Sequence, residues 1–376
     1  MRNQPSTRLA AGRGGLESPA LPSRRDAVVR RVAAQWRLLT TGELKNRRGA
    51  GKPTLIACSG GGDSSALVLA LAAAAGQNAA KLLTVGHVVH DLRNRAEAEA
   101  DRDIAARLAE RVGLPFVEAS VRVREQVGNA EGNARRARYA ALSQMAIERG
   151  IGFVATAHNS HDQVESVLMN LLRGSGPRGL AGAAASRVLS RGGQGGRGGW
   201  GGRVVLVRPM LEVAPLEARG LCDACGWRYA EDATNADTTR LRNALRHDVV
   251  PRLLALRPGS ALRIASAAER CGEASLVVDE QAKALLARVA RGQVVELPRE
   301  ALRSAPVAVV AEVLRRAALR VNGERAKDRL SGRTLAAAAR LVRSRETDPK
   351  ELVWPGVRVS VDAHAVRIAA RVGDSA

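Results

Sequence analysis

Apolar residues fall along this chain in two rhythms. Short unbroken runs read as strands buried on both faces: Thr54-Leu55-Ile56-Ala57-Cys58, Leu82 to Val89, Phe116 to Val121, Phe153 to Thr156 and Val204 to Val207. Between them lie stretches of helical spacing. Asp26 to Leu39 sets Val28, Val29, Val32 and Trp36 on one face, Ser65 to Ala75 is rich in Ala and Leu, and Arg95 to Val112 closes at Gly113. Strands alternating with helices predict an α/β domain with a doubly wound, mainly parallel sheet. From Pro258 to about Arg343 the sequence turns to Ala, Arg and Leu in helical order. Beyond it, the Pro355-Gly356 turn and the alternating Val357, Val359 and Val361 predict a small hairpin. The expected organisation is therefore a basic, disordered tail over 1–25, a catalytic α/β domain over 26–255, and a smaller, mostly helical C-terminal domain over 256–376. Residues 191–203 are too dense in glycine to hold a fold and read as a flexible surface loop.

Composition adds a partner to this outline. With 376 residues, 45% apolar and 26% charged, the chain has the make-up of a soluble globular protein of two or three domains. Its formal charge of +22 points to a polyanion, of which nucleic acid is the expected one. Aromatic residues amount to 2%, too few for a base-stacking platform, so shape and phosphate contacts are the expected mode of RNA recognition. No apolar run reads as long enough to span a bilayer, and the first 25 residues lack the apolar core of a secretory signal, which leaves a transit peptide as the alternative to a plain tail. Cys58, Cys222, Cys225 and Cys271 are too few for a disulfide framework, so a reducing cytoplasm is expected.

The candidate chemistry starts where the first strand ends. Ser59-Gly60-Gly61-Gly62-Asp63-Ser64 joins that strand to a helix, and glycines there let backbone amides approach a phosphate at a helix N-terminus. No Gly-Lys-Ser/Thr follows, so this is not a Walker A loop, and the GxGxxG of a dinucleotide fold is missing as well. Asp63 is the informative departure. A carboxylate beside phosphates is repulsive unless a divalent cation lies between them, so Asp63 reads as a Mg²⁺ ligand acting through ATP.

The loop resembles the SGGxDS of the N-type ATP pyrophosphatases, the PP-loop superfamily, which cleave ATP between the α- and β-phosphates. Four further segments, in order, resemble the tRNA(Ile)-lysidine synthetase family within it. His87-Val88-Val89-His90-Asp91-Leu92-Arg93 is similar to HxxHxLR, and Ala134-Arg135-Arg136-Ala137-Arg138-Tyr139 to ARxxRY. Thr156 to Ser166 follows TAHxxDDQxET, with His161 in place of the first Asp and Ser166 in place of Thr. Arg208-Pro209-Met210-Leu211, Trp227, Glu231-Asp232, Asn235 and Arg242-Asn243 to Arg246 continue the pattern. The resemblance covers Thr54 to Leu254 well and the remainder loosely. It implies ATP at Ser59, Gly60, Gly61, Gly62, Asp63, Ser64 and His90, with Asp63 and Arg138 catalytic. It also implies free L-lysine held through its ε-amine at Asp162 and Glu165, and tRNA or phosphate contacts at Arg135, Arg242, Asn243 and Arg246. The expected partner is a tRNA(Ile) with a CAU anticodon, with no membrane; the oligomeric state, homodimer included, stays open.

Two signals compete. Cys222-Asp223-Ala224-Cys225 is a CxxC, and tRNA thiolases sharing the loop use cysteine pairs, although two small residues packed inside a helix give the same spacing. His158, His161, Asp162 and Glu165 lie on one helix face and leave a zinc site open. A non-catalytic RNA-binding protein would explain the charge but not the loop.

Overall fold

The computed structural model describes residues 21–42, 51–91, 95–123, 130–191, 202–230, 241–289, 295–322 and 330–370. The expectations placed on Leu92, Arg93, Glu231, Asp232, Asn235 and 192–201 fall outside them, as does most of the 1–25 tail.

By packing, the chain forms two units: Met1–Asn159 with Ala185–Ala233, and Ser160–Ala184 with Thr234–Ala376. In the first, α1 (Ala27–Thr41) precedes β1 (Thr54–Ala57), α2 (Gly62–Ala75), a 3-10 turn, α3 (Ala79–Leu82), β2 (Leu83–His90), α4 (Arg95–Arg111), β3 (Phe116–Val121), α5 (Ala130–Glu148) and β4 (Phe153–Ala155). The next two helices, α6 (Ser160–Leu172) and α7 (Pro177–Leu180), belong to the second unit. The chain then returns for β5 (Ser186–Arg191), β6 (Arg203–Val207) and α8 (Pro215–Ala224).

The strand order is β3-β2-β1-β4-β6-β5, parallel except for β5, which runs antiparallel to β6 at the edge. This is the doubly wound, mainly parallel α/β sheet expected, and successive β1 residues explain its two covered faces. Leu55 packs with Leu142, Met145 and Val154 on the α5 side, and Ile56 with the α1, α2, α4 and α8 side. Asp26 caps α1, its Oδ1 accepting from the amides of Val28 and Val29 at 2.7 and 3.1 Å. The stretch Gly62–Leu82 is, against the sequence expectation, long and apolar enough to cross a bilayer by length and composition. Here Ala66 to Ala72 are at most 1% exposed, as a core helix over a sheet must be. β5 went unforeseen because its residues, Ser-Arg-Val-Leu-Ser-Arg, make no apolar run, and an edge strand does not need one.

The second unit holds α6 and α7, then α9 (Leu241–Ala244), a π-helical turn Leu245–Val249, α10 (Val250–Leu256), the long α11 (Ser260–Val289), β7 (Val295–Pro298), α12 (Arg299–Arg303), α13 (Val307–Asn322), α14 (Gly332–Arg343), β8 (Lys350–Trp354), β9 (Val357–Val361) and β10 (Ala365–Ala370). The expected hairpin is part of a four-stranded antiparallel sheet, β7-β10-β9-β8. Val357, Val359 and Val361 face its core, with Val310, Leu314 and Ala339 of the helices. The packing boundary also differs from the one expected near 255. Val164 of α6 is buried against Val250 and Ala261, which ties the acidic helix to the α10–α11 region. The π turn has a local cause: Pro251 has no N–H to continue the α-ladder, and the amide of Val250 reaches back five residues to the Leu245 carbonyl.

Arg299 anchors this unit. It is 1% exposed, and its guanidinium donates to the carbonyls of Val342, Asp362, Leu341 and Ser344 at 2.8 to 3.1 Å, meeting the C-terminal end of α14. Arg299→Met leaves those carbonyls unmet, so it should lower stability by about 3 kcal/mol. Urea unfolding followed by circular dichroism reads this directly, as an earlier midpoint relative to the unsubstituted chain.

Candidate active site

Strand order reverses at β1, which has β2 on one side and β4 on the other, and ligands bind such sheets at the carboxyl end of that switch point. The glycine loop leaves β1 there. Gly60 has φ +87°, and a Cβ on it would lie 2.8 Å from the Asp101 carbonyl oxygen. A Cβ on Gly62 would lie 3.1 Å from the Tyr229 ring. Gly61 pairs with Ala230 in a short parallel bridge, and the Ala230 amide donates to the Gly60 carbonyl at 3.0 Å. The glycines thus let α4 and the 229–230 segment close on the loop from two sides.

Ser64 closes it from within. Its hydroxyl donates to the Gly61 carbonyl at 2.9 Å, accepts from the Ser59 amide at 3.1 Å and lies 3.2 Å from the Ser59 hydroxyl. Gly61 sits at the N-cap of α2 without a side-chain cap, so the first-turn amides are available to an anion. Asp63 stands in that first turn, and its Oδ2 accepts from the Asn159 side-chain amide at 2.8 Å. Asn159 follows β4 across the switch point and is 4% exposed. The sequence reading passed over it as a variable position inside a motif; its place just after a strand end was the available signal. His87 was quoted but given no role. Its Nδ1 lies 2.8 Å from the Cys58 carbonyl, which can only accept, so that nitrogen carries the hydrogen. Burial holds the ring below its ordinary pKa, so it steadies the end of β1 as a neutral group. His90 ends β2 opposite Val121, with its side chain outside the described residues.

Beneath the loop lie three thiols. Cys222 is buried, and its Sγ donates to the Gly62 carbonyl at 3.5 Å. Burial pushes the Cys222 thiol up to about 12, and raises Cys225 and Cys58 as well. A thiolate is the form that attacks or binds metal, so the CxxC here acts as packing. Among the described residues, no group of three or more His, Cys, Asp or Glu is arranged to hold a metal ion.

Arg135 and Arg138 both lie exposed on α5. Arg135 stacks over Tyr139 at 5.4 Å from the ring centre, and Arg187 of β5 at 4.6 Å. Buried Arg208 sits behind them; burial and these two like charges lower its pKa, while Tyr139 favours its charge.

In the second unit, α6 presents Asp162 and Glu165 one turn apart. Their partners are Arg242 and Arg246, which the sequence reading had assigned to phosphates. Arg242 donates from Nε to Glu165 at 2.9 Å and from Nη2 to Asp162 at 3.3 Å. Arg246 donates from Nε to Glu165 at 2.6 Å and from Nη2 to Asp162 at 3.0 Å. The correction follows from burial: the Glu165 side chain is 1% exposed, and a charge that deep needs a matched partner. Asn243 is half-buried between the two arginines in sequence. His161 is lowered by its burial, with Glu165 and Asp162 acting in the opposite sense.

An open α/β sheet with a glycine-rich, aspartate-bearing phosphate loop at its switch point defines a nucleotide-binding domain. A model of the PP-loop domain matches residues 39–253. The tRNA(Ile)-lysidine synthase of Salinispora arenicola is 38% identical over 239 residues, 62% of this chain and 66% of that protein. Its namesake from Methylobacterium nodulans is 37% identical over 308 residues, 77% and 84% of the two chains, and that of Geobacter sulfurreducens 36% over 244 residues, 64% and 46%. Among solved structures, the U34-tRNA thiolase NcsA from Methanococcus maripaludis with its [4Fe-4S] cluster is similar at a TM-score of 0.50. Its 17% identity, over 66% of this chain and 81% of that one, makes this a likeness of fold. The chain belongs to the PP-loop domain family and, within it, to the tRNA(Ile)-lysidine synthase family. The aligned stretch spans just under two thirds of the Salinispora relative and less than half of the Geobacter one.

The loop geometry gives a direct expectation. Gly60→Ala forces a side chain into left-handed backbone against the Asp101 carbonyl, a strain of about 1–3 kcal/mol. Equilibrium titration with ATP should give a Kd raised about tenfold or more.

Proposed function

We propose that this protein joins free L-lysine to C2 of the wobble cytidine in a CAU-anticodon tRNA(Ile), at the expense of ATP, releasing AMP and pyrophosphate. The carrying observation is the glycine loop closed by Ser64 at the sheet's switch point, in a chain of the tRNA(Ile)-lysidine synthase family. The loop amides and the N-terminus of α2 receive the phosphates of ATP. Asp63, an all-oxygen donor steadied by Asn159, fits Mg²⁺, which when bound neutralises charge between carboxylate and phosphate. The C2 oxygen of the cytidine attacks the α-phosphorus and pyrophosphate leaves. Arg138 steadies the charge that builds at that phosphorus. The adenylated C2 is then attacked by the lysine ε-amine, which loses its proton as AMP departs. Asp162 and Glu165 attract the ammonium chemistry of lysine. The modified base pairs with A instead of G, so the codon read changes from AUG to AUA.

The surplus of positive charge suits a tRNA partner, and the chemistry suits the cytoplasm, where ATP, lysine and tRNA meet. A thiolase reading needs reactive sulfur, and the raised Cys222 and Cys225 thiols speak against it. A passive RNA binder has no use for Asp63 beside a phosphate loop.

Two substitutions separate the half-reactions. Asp63→Asn should cut tRNA-dependent pyrophosphate release on the order of a hundredfold. Glu165→Gln should raise the KM for lysine about tenfold or more while pyrophosphate release persists. Loss of pyrophosphate release in both variants contradicts this division of labour.

A further inference from the structure

Asp162, Glu165, Arg242 and Arg246 form a neutral quartet in which each guanidinium touches both carboxylates. Arg242 and Arg246 stand four residues apart, the second of them in the π turn. Resting on the ligase reading above, we infer that this quartet is a receptor for the α-end of a free amino acid. Arg242 and Arg246 take the α-carboxylate, Asp162 and Glu165 take the α-ammonium, and the ε-amine is left outside their grip.

Three arguments carry this. The first is charge matching. A ligand bringing only an ammonium would occupy the carboxylates and strand two guanidiniums, and a phosphate on the arginines would stand against two carboxylates. The α-end of an amino acid brings one charge of each sign, so each group exchanges its partner for another of the same kind. No buried charge is left unmatched, which matters most at Glu165, 1% exposed. The second is shape. Nε and Nη2 of each arginine already grip carboxylate oxygens as a planar fork, the geometry that reads a carboxylate.

The third is the reaction. The attacking amine must be neutral, and a carboxylate pair favours the protonated form of any amine beside it. Asp162 and Glu165 therefore suit the amino group that does not react. This reverses the end of lysine that the sequence resemblance had put there. It also makes Arg242 and Arg246 specificity residues, with the arginine–carboxylate pairs holding the site in shape until lysine arrives.

The test uses the full chain with CAU-anticodon tRNA transcript and ATP, and compares L-lysine with L-lysinol. Lysinol keeps both amines and replaces the carboxylate with a hydroxymethyl group. The unsubstituted protein should prefer lysine by about a hundredfold or more in kcat/KM. In Arg242→Ala that preference should fall to within about tenfold, because removing a carboxylate reader harms lysine and hardly matters to lysinol. Arg246→Lys, which keeps the charge but loses the fork, guards against a variant that fails to fold and should give an intermediate ratio. A merely structural role would lower both substrates together and leave the ratio where it was. An unchanged ratio in both variants, or equal use of lysinol by the unsubstituted protein, overturns the inference. If the unsubstituted protein incorporates neither compound, the ligase reading itself fails and this inference with it.

Discussion

A backbone can hold a phosphate only where no side chain stands between its amides and the anion, and everything near β1 follows from that constraint. Three consecutive glycines strip the loop bare, which alone would leave it slack. The slack is removed by the Ser64 hydroxyl folded onto the Gly61 carbonyl, by the Ala230 amide on the Gly60 carbonyl, and by contacts that any Cβ on Gly60 or Gly62 would block. Position then does the rest: the loop leaves the central strand at the reversal of strand order, with α2 directed at whatever the amides bind. Asp63 can sit in so anion-friendly a place because Asn159 receives one of its oxygens.

The second constraint is the cost of burying charge. Glu165 lies almost wholly inside its unit, yet it belongs to a helix whose apolar face is anchored by Val164 against Val250 and Ala261. A carboxylate held there must be answered, and Arg242 with Arg246 answers both it and Asp162. The thiols obey the same physics with the opposite result. A cysteine with no partner charge becomes neutral on burial, and Cys222 accordingly serves the underside of the loop as a packed donor to the Gly62 carbonyl. One rule of desolvation thus separates a charged receptor from an inert pair that shares its spacing with catalytic ones.

These contrasts explain what could be read from the sequence. The parallel strands were legible because burial on both faces demands unbroken apolar runs, and α1 because Asp26 precedes a helical apolar face. The loop was legible because its chemistry is local: strand, bare backbone and helix are contiguous. β5 was hidden by its polar edge, and the C-terminal sheet by β7, whose four residues pair with β10 some 70 positions away. The same distance hid the arginine partners of Asp162 and Glu165, which lie about 80 residues along the chain. Spacing revealed which residues share a helix face; it held no information about which distant charge would neutralise them. Asn159 and His87 show a milder form of this, being quoted within motifs while their partners, Asp63 and the Cys58 carbonyl, lay elsewhere.

The central claim is that this loop and this quartet serve one ligation on a tRNA base. Incubation with ATP, Mg²⁺ and radiolabelled L-lysine, followed by isolation of the tRNA, tests it most directly. The account predicts label in an unmodified CAU-anticodon tRNA(Ile), dependent on ATP and lost when the wobble cytidine is replaced by uridine. Label that survives that replacement, or no label beside efficient thiolation when a sulfur donor is supplied, would contradict it.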